Sequence, residues 1–123
     1  MIIDSIKSKY NGRIRLMPPI DINNIEFPKA LIEILAISNG IMETMDHPKT
    51  GEKIDIGWII YSYEEMCKAT SFYNQEYGFS GIVFSTDGAG NPYYIAEGKI
   101  YEFDPIDNES TVKADSLEAF FEG

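Results

Sequence analysis

Residues 82–103 read IVFSTDGAGNPYYIAEGKIYEF, and the fold can be predicted most clearly from these residues. Its apolar and aromatic runs at 82–85, 93–96 and 99–103 have the composition of β-strands. The segment between the first two runs consists of turn-forming residues, and Glu97-Gly98 is a two-residue turn between the last two. Because strands joined by short turns pair with each other, the stretch predicts an antiparallel sheet.

The sequence on both sides of this stretch predicts helices and further strands. Ser62-Tyr63-Glu64-Glu65 has the pattern of a capping box, which predicts a helix that ends at Gly78. Other helices are predicted at 2–10, at 28–39 and from a cap at Asp115, and other strands at 13–16, 53–61 and 110–113. Residues 41–52 are polar and charged and are interpreted as a loop. We therefore expect a single α+β domain over residues 1–123, mainly an antiparallel sheet with helices packed against it.

The chain is strongly acidic, with 20 Asp and Glu, 10 Lys and Arg, and a net charge of −10. This charge argues against nucleic-acid and anionic-membrane partners, which need a basic surface. Two interpretations stay open: the charge complements a basic protein partner, or it serves solubility alone. The single cysteine, Cys67, excludes an internal disulfide. With no long apolar run and no signal-peptide pattern at its start, the chain is expected to be cytoplasmic.

The residues that could carry chemistry are few. His47 is the only histidine, and Cys67 is interpreted as a buried small apolar residue within a helix. The glycine-rich loop at 87–91 lacks the Lys-Ser/Thr of a phosphate-binding loop and the third glycine of a dinucleotide fingerprint. It is interpreted as a long hairpin turn or as an exposed contact loop. We expect no catalytic, cofactor or metal site, and hence a protein that is not an enzyme.

Several segments, in their order, resemble the SUKH superfamily and within it the Smi/Knr-like family. The matching segments are Pro28-Lys29-Ala30-Leu31 through Ser38-Asn39-Gly40, Ile60 to Glu65, Phe84 to Ile95, and Ala114 to Phe120. The resemblance implies an α+β fold and a bacterial immunity protein encoded beside a secreted toxin, which is often a nuclease. In eukaryotic relatives it implies a cell-wall-signalling regulator.

The primary hypothesis is therefore a protein that binds and neutralises a cognate toxin by protein–protein contact. An acidic inhibitor would suit the basic cleft of a nuclease. The predicted contact residues all lie in loops or turns: Asp46, Glu52, Asp87, Asn91, Asp104, Asp107 and Glu109. Two alternatives stay open, namely a non-enzymatic regulatory or scaffold module and an enzyme or small-ligand receptor. The oligomeric state is left undetermined.

Overall fold

The computed structural model describes residues 2–122, and these form four helices and seven strands. The helices are α1 (Ile2–Lys9), α2 (Lys29–Leu35), α3 (Tyr63–Tyr77) and α4 (Leu117–Glu122). The strands are β1 (Ile14–Leu16), β2 (Ile41–Asp46), β3 (Lys53–Ile60), β4 (Ile82–Thr86), β5 (Pro92–Ala96), β6 (Lys99–Asp104) and β7 (Glu109–Ala114). The predicted α+β class is confirmed.

The strands form two antiparallel sheets, a three-stranded sheet in the order β1-β2-β3 and a four-stranded sheet in the order β4-β5-β6-β7. The residues quoted first in the sequence make up the first three strands of the larger sheet. Two hydrogen bonds join the sheets: the Tyr61 amide donates to the Phe84 carbonyl (2.8 Å), and the Ser85 hydroxyl donates to the Ile59 carbonyl (2.6 Å). The end of β3 is thereby fixed beside β4.

The four-stranded sheet is covered on both faces, because successive residues of a strand point to opposite sides. Val83, Tyr94 and Phe103 face an aromatic cluster that includes residues of α3. Their neighbours Phe84 and Ile95 belong instead to the main core, which α1, α2 and α4 complete. The larger sheet is therefore a central layer.

Helix α3 begins and ends as its sequence predicts. The Ser62 hydroxyl accepts a hydrogen bond from the Glu65 amide at 3.2 Å, and Gly78 ends the helix in the left-handed conformation (φ 74°). Met66 is fully buried. The interpretation of Cys67 as buried is wrong, since its side chain is exposed. One residue along a helix turns the side chain by about 100°, which carries Cys67 off the face that Met66 buries.

The interpretation of residues 41–52 as a loop is wrong for its first half, which forms β2 and pairs with β3 along its whole length. The strand carries polar residues because much of the small sheet is open to solvent, which removes the apolar signal of a buried strand. At α4, the Ser116 hydroxyl accepts from the Ala119 amide at 3.0 Å, in the position where Asp115 was predicted to cap the helix.

Candidate functional site

The predicted contact residues lie in three hairpin turns. Connections alternate between the two ends of an antiparallel sheet, so the β4–β5 and β6–β7 turns share one end of the four-stranded sheet. These two turns contain Asp87, Asp104, Asp107 and Glu109. Neither residues 86–92 nor residues 104–110 include a lysine or an arginine. We call these four carboxylates the acidic turn surface.

The β4–β5 turn is organised by Asp87. Its carboxylate accepts hydrogen bonds from the Ala89 amide (2.7 Å), the Asn91 amide (3.1 Å) and the Asn91 side-chain nitrogen (3.0 Å). Partial desolvation opposes the charge, but these hydrogen bonds outweigh it and hold the pKa of Asp87 below its ordinary value. Asp87 and Asn91 are thus brought together, and the turn presents a fixed anion.

The β6–β7 turn depends on Asp104 in a similar way. The Asp104 carboxylate accepts from the amides of Ile106 (2.9 Å) and Asp107 (3.3 Å). Ile106 stands at the tip of the turn with 94% of its surface exposed. Asp107 and Glu109 are also exposed. An exposed apolar side chain beside the exposed carboxylates of Asp107 and Glu109 gives this turn both kinds of contact that a protein interface uses.

The third turn belongs to the three-stranded sheet and carries Asp46 and Glu52. The His47 amide donates to the Glu52 carbonyl at 2.8 Å, and His47 Nδ1 accepts from the amides of Lys49 (3.1 Å) and Thr50 (3.3 Å). The only histidine therefore shapes a turn. Because Asp46 and Glu52 are in the other sheet, they are not part of the acidic turn surface.

A cavity of about 180 Å³ lies where the two sheets meet. Five aromatic side chains line it, and its polar groups include one ammonium, one carboxylate and the hydroxyls of two aliphatic and two tyrosine side chains. The lining consists of Lys9, Tyr10, Trp58, Ile59, Ser85, Thr86, Asp87, Tyr93, Phe120 and Phe121. Of the predicted contact residues, Asp87 alone belongs to this lining.

The aromatic walls are fixed by packing against neighbouring elements. Trp58 lies against Gly40, where an added Cβ would come within 2.6 Å of the indole ring, and Gly40 itself has φ 92°. The rings of Tyr93 and Phe120, which also line the cavity, meet edge to face at 4.8 Å between centroids. The Lys9 ammonium stands 6.0 Å from the Phe120 centroid.

Carboxylates act on both tyrosines of the cavity. Burial raises the pKa of Tyr93 to about 12, with further contributions from Glu102 and Asp87. Burial and the carboxylate of Glu43 raise the pKa of Tyr10 as well. Glu102 pairs directly with Tyr93 across β5 and β6. Both hydroxyls therefore stay protonated at neutral pH, and the carboxylates that act on them are those of Asp87, Glu102 and Glu43.

The sequence did not predict this cavity, because its lining comes from five separate segments that meet only in the folded chain. The one available signal was Trp58, the only tryptophan of the sequence. Among the aromatic residues of β5 and β6, Tyr93 alone lines the cavity. Tyr94 and Phe103 are buried elsewhere, and the Tyr101 ring stacks on the Tyr94 ring with 5.1 Å between centroids.

Two further findings concern residues 2–122. Within that range, no three His, Cys, Asp or Glu side chains are grouped so that they could hold a metal ion. No helix in the same range is long and apolar enough to cross a membrane.

Comparison with known proteins identifies the family. No curated protein and no solved structure is similar enough to match this chain. The family model described as SMI1 / KNR4 family (SUKH-1) matches residues 22–123, which is most of the chain. The match covers both sheets apart from β1, and with them the acidic turn surface. The chain therefore belongs to the SMI1/KNR4 family, SUKH-1.

Proposed function

We propose that this protein binds a basic protein partner through the acidic turn surface, and that the partner is a toxin whose activity the bound protein blocks. The family supports a protein-binding module of the immunity or Smi/Knr type. The observation that carries the proposal is the pair of neighbouring turns with four carboxylates and no basic residue. The expected compartment is the cytoplasm.

The two turns would increase the association rate and the affinity through different interactions. Carboxylates in one patch attract a basic surface over a Debye length of about 8 Å at physiological salt, which speeds association. Ile106, almost wholly exposed, can be buried by the partner and so slow dissociation. If the toxin is a nuclease, the carboxylates would lie where nucleic-acid phosphates otherwise bind.

The experiment reverses two charges of the surface without disturbing its turns. Asp104 is unsuited to this, because its carboxylate holds the amides of Ile106 and Asp107. The variant is therefore Asp107→Lys with Glu109→Lys. The matched control is Glu76→Lys with Glu97→Lys, since both residues are exposed and lie outside the acidic turn surface: Glu97 in the β5–β6 turn at the other end of the larger sheet, and Glu76 in the last turn of α3.

Binding to the co-purified partner is measured at low and high salt. We expect the Asp107/Glu109 variant to associate about tenfold more slowly at low salt, with a smaller difference at high salt, and the control to change little. Equal effects in both variants would mean that binding depends on the net charge of the protein and not on the acidic turn surface. A house-keeping partner without toxicity would favour the regulatory or scaffold alternative.

A further inference from the structure

The cavity between the sheets has walls suited to a cation. The faces of aromatic rings carry negative electrostatic potential, and cations bind over them, tryptophan most strongly. Tyr10, Trp58, Tyr93 and Phe120 all line the cavity. Its volume of about 180 Å³ is far above the roughly 15 Å³ that one water molecule requires. There is space for the head group of a long side chain.

Carboxylates surround these walls. Asp87 lines the cavity directly and is held as an anion by the hydrogen bonds of its turn. Glu102 stands beside Tyr93, and Glu43 acts on Tyr10. Glu102 is partly neutralised by Lys113 at 3.4 Å. The balance around the cavity is negative.

The protein already places one of its own cations at this site. The Lys9 ammonium lies 6.0 Å from the centre of the Phe120 ring, at the limit of a cation–π contact. Lys9 is an exposed residue in the last turn of α1, so its long side chain can move away without unfolding anything. It occupies the edge of the cavity and leaves the interior open.

We propose that this cavity receives the guanidinium or ammonium group of a basic side chain of the partner protein, and that Lys9 competes for the same place. The inference rests on the proposed function for the identity of the molecule that carries the cation. The chemistry of the cavity itself does not depend on that identity. Asp87 belongs both to the cavity and to the acidic turn surface, so one partner could contact both.

The test uses the intact protein and a small probe. Trp58 is the only tryptophan, so intrinsic fluorescence reports on the cavity directly. The protein is titrated with acetyl-Gly-Arg-Gly-amide and with the same peptide carrying citrulline, which has nearly the shape of arginine but no charge. The variant Lys9→Gln removes the competing cation. Lys7→Gln, on the same helix and equally exposed, is the matched control because it changes the net charge by the same amount.

We expect a saturable change with the arginine peptide and none with the citrulline peptide. Lys9→Gln should bind the arginine peptide about two- to fivefold more tightly than Lys7→Gln does. A gain in affinity cannot arise from misfolding. Identical titrations for the two peptides, or equal affinities in the two variants, would overturn the proposal. Because no partner is present, such a failure leaves the test of the acidic turn surface unaffected.

Discussion

Replacing Gly40 by alanine should destabilise the protein by more than its backbone conformation alone explains. Gly40 has φ 92°, and an alanine Cβ there would lie 2.6 Å from the Trp58 ring and 2.8 Å from the Ser62 amide nitrogen. The positive φ costs about 1–2 kcal/mol for a residue with a Cβ. Forcing an extra atom into a packed site costs typically about 1–3 kcal/mol more. We therefore expect Gly40→Ala to lower the free energy of unfolding by about 2–5 kcal/mol.

Gly12→Ala is the matched control, since Gly12 also has a positive φ (76°) but nothing within 4 Å of the added Cβ. Urea unfolding followed by Trp58 fluorescence and by circular dichroism gives the free energy of both variants. The difference between them isolates the steric part, because the backbone cost is shared. Equal destabilisation of the two variants would mean that Trp58 and Ser62 do not lie against Gly40. The position of Trp58 in the cavity wall would then be wrong.

Three further predictions concern the fold. Ser62→Ala removes the hydroxyl that accepts from the Glu65 amide and should lower the free energy of unfolding by about 1 kcal/mol in urea titrations; no change would show that the cap does not stabilise α3. Phe84→Ala leaves a cavity at a fully buried position and should lower the free energy of unfolding by about 3–5 kcal/mol. Ile106→Ala, at an exposed position, should change it by less than about 0.5 kcal/mol. Similar values for both variants would contradict the burial of Phe84 and the exposure of Ile106. Tyr93 has a pKa of about 12 in the folded chain against about 10 when unfolded, so the stability it contributes is complete below pH 10 and is lost as pH rises toward 12. Tyr93→Phe should make that alkaline decline shallower, and an unchanged decline between pH 9 and 11.5 would refute the raised pKa.

The elements that the sequence predicted well are those in which a local signal decides the structure. Gly88, Gly90 and Gly98 have positive φ angles in the hairpin turns, and glycine adopts such angles without steric cost. Ser62 and Gly78 bound α3 through contacts with residues three or four positions away. A few neighbouring residues are enough to predict such turns and helix ends, and the tertiary packing of the folded chain is compatible with them.

Other features depend on contacts that no short window contains. Strand β2 was missed because its polar residues lie on a sheet that is partly open to solvent, and its pairing with β3 alone reveals it. Cys67 was misplaced because its exposure depends on which face of α3 the sheet covers. The cavity was missed because Tyr10, Trp58 and Phe120 are far apart in sequence and meet only when α1 and α4 pack beside the junction of the sheets.

The proposed function is that this chain neutralises a basic toxic protein by binding it. The most direct measurement is to purify the tagged protein from its native cell in mild salt, identify what accompanies it, and co-express the two. We predict a stoichiometric basic protein that is toxic alone, harmless beside this protein, and less completely neutralised beside the Asp107→Lys, Glu109→Lys variant. Recovery of this protein alone from cells that express the neighbouring gene, or toxicity that co-expression does not relieve, would contradict the claim.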